Sequence, residues 1–149
     1  LADKMIEMVQ AEILNQDAAS KIDTTKIVDY FETPFGEEII QNHQHLKKEV
    51  LFSLMMKASD VFLGMEEVDD PILIHGIIDG YFETEAGFVL FDYKTDHVAY
   101  LGDKAESELV RRYKGQVMLY KKALETIMKR PVIAVNIISL DLGKTILVL

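Results

Sequence analysis

The sequence predicts an α/β or α+β domain, a mixed central sheet flanked by helices, and three observations carry that expectation. Apolar runs with strand character, Lys47–Met56, Ile72–Ile78 and Phe88–Phe91, follow one another in the middle of the chain. A stripe of Leu109, Tyr113, Val117, Tyr120, Leu124 and Ile127 at three-and-four spacing marks one long helix over Glu106–Met128. Two further strands, Val132–Leu140 and Thr145–Leu149, flank a turn at Asp141–Lys144. The order is therefore helices, three strands, one helix, two strands.

Ahead of the sheet, Met5, Ile6, Met8, Val9, Ile13 and Leu14 recur at helical spacing and predict a helix ending near Asn15. Asp23 or Thr24 is placed to cap a short second helix through Ile27, Val28, Tyr30 and Phe31. Thr33-Pro34 breaks it, and Pro34 opens another turn or two over Phe35–Gln41. His43 and His45, among Asn42, Gln44, Lys47 and Lys48, read as solvent-facing. Ala58–Pro71, with Glu66, Glu67, Asp69 and Asp70, reads as a solvated loop.

Composition narrows the function. A chain of 149 residues, 49% hydrophobic and 28% charged, suits one globular domain, with residues 1–46 as a helical N-terminal part and 47–149 as the core. With no cysteine, a thiol nucleophile, a disulfide framework and a cysteine-ligated zinc or iron–sulfur site are excluded. No apolar run is long enough to span a bilayer, so no membrane partner is expected. The net charge of −9 argues against a self-sufficient DNA binder, whose affinity rests on Lys and Arg, but not against a cleaving module to which a partner delivers DNA. Leu1 in place of Met reads as the start of a piece of a longer chain.

The chemistry concentrates in Gly76–Asp96, GIIDGYFETEAGFVLFDYKTD. Asp79 follows one apolar run and Asp92 ends another, with Glu83–Gly87 between them as a hairpin turn. Pairing of the runs brings Asp79 near Asp92; alternation sets Asp92 and Lys94 on one face and Tyr93 on the other. Two buried carboxylates cost several kcal/mol, by order of magnitude, unless a cation offsets them. Hard oxygen ligands suit Mg²⁺ or Mn²⁺, with Asp79, Asp92 and the Tyr93 carbonyl as donors. The matching chemistry is attack of water on a phosphodiester, with Lys94 orienting or deprotonating the water or steadying phosphate charge.

Supporting groups come from either side. Glu49 shares a strand face with Leu51 and Ser53 and is either a surface glutamate or a third acid at the metal. His75 shares the Asp79 face but lies about 13 Å away along the strand. Gln116 and Tyr120 sit one helical turn apart, fit to bind a phosphate or brace the metal ligands. Arg111, Arg112 and Lys114 are the densest basic cluster, and His97–Asp103 is a loop placed to lie over the site.

With these residues assembled, the chain resembles the restriction-endonuclease-like PD-(D/E)XK superfamily. Within it, the chain is most similar to the RecB-type nuclease domain at the C-terminus of the AddA (RexA) subunit of bacterial ATP-dependent helicase-nucleases. The resemblance covers roughly Lys47–Leu149 and rests on Glu49 in KEVLF, Asp79 in GIIDGYF, Asp92 and Lys94 in DYKTD, and Gln116 and Tyr120 in QVMLY. It implies metal ligation by Asp79 and Asp92, catalysis by Lys94, an accessory acid in Glu49 and a helix motif in Gln116 and Tyr120. It further implies a Mg²⁺-dependent DNA exonuclease acting in double-strand break repair and recombination in the bacterial cytoplasm. The implied partners are DNA strands from a helicase and a second subunit of the heterodimer. Ile78 stands where the superfamily name has proline, and the family's metal-binding histidine, on a helix before Leu1, is not in this sequence. The helicase motifs and phosphate-binding glycine loop are not in it either, so ATP would act only through the rest of the longer chain. Competing expectations are a nuclease-like docking or DNA-guiding module and, more weakly, a phosphohydrolase of small substrates.

Overall fold

The structure is a computed structural model that describes residues 24–61 and 70–149, the side chains of residues 60 and 61 excepted. The helix expected at Met5–Leu14 and most of the acidic run before Pro71 lie outside the described residues. Among the described residues five strands form one sheet in the order β1-β2-β3-β4-β5: Lys47–Lys57, Pro71–Glu83, Phe88–Lys94, Val132–Ser139 and Lys144–Leu147. In this sheet β3 and β4 pair parallel, and β1–β2, β2–β3 and β4–β5 pair antiparallel. A parallel pair needs a crossover, here a 3₁₀ turn, Ala99–Lys104, and a 24-residue helix. The expected α+β class with a mixed sheet flanked by helices is what the chain adopts.

Helices cover the sheet on both sides. On one side α1 (Thr24–Phe31) and α2 (Pro34–Gln41) bury Ile27, Tyr30, Phe31 and Ile39 against Phe82, Val89, Phe91, Tyr93 and Ile138. Thr33 caps α2 by accepting from the Gly36 amide at 3.3 Å, and Pro34 follows it at the first helical position. α3 (Ala58–Val61) is a short helix where a loop is expected. On the other side α4 (Ala105–Met128) buries Leu109, Val117, Tyr120 and Leu124 against Phe52, Ile78, Leu90, Val135 and Ile137. α4 ends at Lys129, whose φ of 56° is a left-handed cap, just before Pro131.

β2 is longer than the apolar run that predicts it, running through Asp79 to Glu83. Glycines mark two close approaches. At Gly87 (φ +151°) the hairpin turn passes so near Pro131 that a Cβ would sit 2.4 Å from its carbonyl oxygen. At Gly76 a Cβ would lie 2.6 Å from the Phe52 ring and 3.1 Å from that of Tyr120, so the missing side chain lets these rings meet edge to face at 5.7 Å.

Candidate active site

The site forms where β2 and β3 part. Their ladder runs from Glu83 opposite Phe88 to Gly80 opposite Phe91, and continuing that register sets Asp79 opposite Asp92. The ladder stops there because the alternation of β2 breaks: Ile78 and Tyr81 are three residues apart, yet both pack in the core beneath α4. The break is matched in β1, where Glu49 has φ +47° and lies unpaired between Lys48, opposite Gly80, and Val50, opposite Ile78. The Tyr93 amide donates to Asp79 Oδ2 at 2.8 Å. The Lys94 carbonyl accepts from Leu140 on the β4 side. Backbone groups alternate sides along a strand, so the Tyr93 carbonyl lies with its amide, toward Asp79.

Asp92 and Lys94 face α4. Asp92 is 3% exposed, and its Oδ2 lies 2.8 Å from Lys94 Nζ. That approach is ionic rather than a directed hydrogen bond, because among the described residues the same buried oxygen has no hydrogen-bond partner. Lys94 Nζ donates to Gln116 Oε1 at 2.9 Å, and Gln116 in turn hydrogen-bonds Tyr120. Burial, then the neighbouring Asp92 carboxylate, push the Asp79 carboxyl up to about 7, against relief from the Tyr93 amide and Lys94. Burial raises the Tyr120 hydroxyl as well, and the Asp92 and Asp79 carboxylates add to it.

Asp79, Asp92, Lys94, Gln116 and Tyr120 thus form one connected cluster. Glu49 stands beside Asp79 in register, but its side chain is exposed. Among the described residues no three His, Cys, Asp or Glu side chains gather as a metal group. His75 is exposed, as is His43, whose Nδ1 contacts the Ile40 carbonyl. Arg111 and Arg112 are tied to Glu108, and Arg112 also to Asp96.

Two residues join the site that the sequence pattern alone does not assign to it. Lys94 Nζ sits 4.1 Å above the centroid of the Tyr113 ring, a cation–π contact, and the Tyr113 hydroxyl donates to both Asp96 oxygens at 2.7–2.8 Å. The signal was the three-residue spacing of Tyr113 and Gln116, which stacks them on one helix face; Tyr113 instead read as core.

The acid pair fits a hard dication. An orphaned, buried carboxylate oxygen and a neighbouring carboxyl forced toward its neutral form are what two anions held together without enough positive charge produce. The donors available to such an ion are the Asp79 and Asp92 carboxylates and the Tyr93 carbonyl.

Sheet order, two-sided helical cover and an acid pair at a strand divergence define an α+β domain consistent with the restriction-endonuclease-like fold. No family model matches the chain. It is 38% identical to the A subunit of the ATP-dependent helicase/nuclease of Levilactobacillus brevis over 143 residues, covering 95% of this chain. The corresponding protein of Enterococcus faecalis is 39% identical over 137 residues, and that of Pediococcus pentosaceus 38% over 149, covering 91% and 98% of this chain. The chain belongs with this family of helicase/nuclease subunits as the counterpart of one segment, spanning 11–12% of the length of these relatives. Among the described residues no helix is long and apolar enough to cross a membrane.

Proposed function

We propose that the chain is a Mg²⁺- or Mn²⁺-dependent deoxyribonuclease domain, an exonuclease working on strands delivered within an ATP-dependent helicase-nuclease during double-strand break repair and recombination. The observation that carries this reading is the meeting of Asp79 and Asp92 at the parting of β2 and β3, with Lys94 fixed beside them. A bound dication would polarise the scissile phosphate and acidify a water. Asp79 and Asp92 would hold that ion, with the Tyr93 carbonyl beside them.

The chain's own groups supply the rest. Gln116, the Asp92 carboxylate and the Tyr113 ring hold Lys94 on three sides, so the ammonium is oriented before substrate arrives. From there it positions the attacking water or meets negative charge building on the phosphate. Tyr120 secures Gln116, and burial keeps its hydroxyl protonated. The acidic balance of the chain leaves DNA capture to other parts of the assembly.

The test is Mg²⁺-dependent cleavage of single-stranded DNA by the complete helicase-nuclease. Asp92→Asn and Lys94→Ala, separately, are each expected to lower the rate by about 10²-fold or more, with ATP hydrolysis unchanged. Cleavage at the parent rate in both variants would refute the assignment. A second reading, a nuclease-like module that guides DNA without cutting it, draws on the absence of a three-acid group among the described residues. Calorimetric titration with Mn²⁺ separates the two: heat abolished by Asp79→Ala supports the nuclease, and no heat in the complete helicase-nuclease supports the module.

A further inference from the structure

Two residues beyond Lys94, the crossover that leaves β3 brings a third carboxylate to α4. Asp96 accepts the Tyr113 hydroxyl on both of its oxygens, at 2.8 and 2.7 Å, and Arg112 Nη1 on Oδ2 at 2.9 Å. Arg112 is fixed in turn by Glu108, one helical turn earlier, its Nε donating to Oε1 at 3.0 Å. The Tyr113 ring, held through its hydroxyl, carries Lys94 Nζ 4.1 Å from its centroid. The contacts therefore run from the Lys94 ammonium through the Tyr113 ring to the Asp96 carboxylate, then to the Arg112 guanidinium and the Glu108 carboxylate.

The charge states suit this line. Burial raises the Asp96 carboxyl, but the Tyr113 hydroxyl and Arg112 outweigh that and hold it below the ordinary range, so it is an anion at neutral pH. Burial, then Asp96, push the Tyr113 hydroxyl up to about 12, so the phenol stays a donor. Donation to a carboxylate polarises the phenol and adds to the negative face of its ring, which is what attracts an ammonium. Asp96 thus both sets where the ring stands and strengthens its pull on Lys94. The other two partners of Lys94 are the neutral Gln116 and Asp92, a carboxylate placed to serve a dication as well. The ring and Asp96 give the ammonium a hold that the acid pair does not have to supply.

We propose that Asp96 is a positioning residue of the site, holding the Lys94 ammonium in place through the Tyr113 ring. Its effect on cleavage rests on the nuclease reading; its hold on Lys94 does not. An Asp96 that merely stapled the crossover to α4 would be replaced by asparagine, which also offers an acceptor, with no effect on Lys94.

The test uses the complete helicase-nuclease carrying Asp96→Asn, which removes the charge, or Tyr113→Phe, which cuts the same link from the other side and leaves the ring in place. Lysines of the metal-free protein are labelled briefly with acetic anhydride and read by peptide mass spectrometry. Lys94, its side chain 16% exposed, is expected to label at least about threefold faster in both variants, with the exposed Lys114 unchanged. Labelling of Lys94 at the parent rate in both overturns the proposal. In Mg²⁺, kcat on single-stranded DNA is expected to fall about tenfold in each variant with KM unchanged, and to fall no further when either substitution is added to Lys94→Ala. Parent kcat in both variants, or the same fold loss with and without Lys94, overturns the proposal for the reaction. Cleavage at the parent rate in Lys94→Ala alone would instead refute the nuclease reading, with the labelling still deciding whether Asp96 holds Lys94.

Discussion

Asp92 Oδ2 is a buried oxygen held by the charge of Lys94 without a directed hydrogen bond, and Asp79 beside it is pushed toward its neutral form. The acid pair thus strains the metal-free chain. Because the Asp79 carboxyl titrates at about 7 in the folded state against about 4 unfolded, the folded chain binds the extra proton between these values. Its contribution to stability is therefore greatest below about pH 4 and is lost as pH rises through about 7. Asp79→Asn keeps an acceptor for the Tyr93 amide and removes the repulsion. Thermal melts without metal are expected to show it more stable than the parent at pH 8, by on the order of 1–2 kcal/mol, with the gap closing toward pH 4. The acid pair and its lysine were legible in the chain, since each aspartate follows an apolar run. The roles of Tyr113 and Asp96 were not, because an aromatic residue on an apolar helical stripe has the same pattern whether it packs in the core or under an ammonium.

At the level of elements, the strands, α4 and their order follow from periodicity, and their assembly follows the expected class. The length of β2 does not, because its continuation past Asp79 hides behind a break in alternation that polar–apolar pattern alone reads as a strand end. Glu49 is exposed in step with Leu51 and Ser53, the residues whose face it shares, so the surface reading of this glutamate is the one its strand follows. The contact of β2 with α4 depends on Gly76, where Phe52 and Tyr120 occupy the space of a side chain. Gly76→Ala is expected to cost about 1–3 kcal/mol in chemical denaturation. It is also expected to lower cleavage, because Tyr120 anchors the glutamine that holds Lys94.

Across the whole molecule, Asp141 joins parts distant in sequence: Oδ1 receives Lys26 of α1, and Oδ2 receives the amides of Val98 and Ala99 at 2.9 Å each. Burial raises its carboxyl, but Lys26 and the two amides outweigh that and hold it well below the ordinary range. A depressed value contributes stability above about pH 4 that is lost as pH falls through the folded value. Asp141→Asn is expected to destabilise the chain at pH 7 by roughly 1–2 kcal/mol. The penalty should shrink in melts taken toward pH 2.

The abrupt end of the β2–β3 ladder at Gly80 and Phe91 fixes where this domain tolerates insertions. An added residue in the exposed turn at Glu85 and Ala86 leaves the paired segments in step. One added between Gly80 and Glu83, or between Phe88 and Asp92, turns an acid to the wrong side of the sheet. Loop grafting and tag insertion in this region are confined to that two-residue tip.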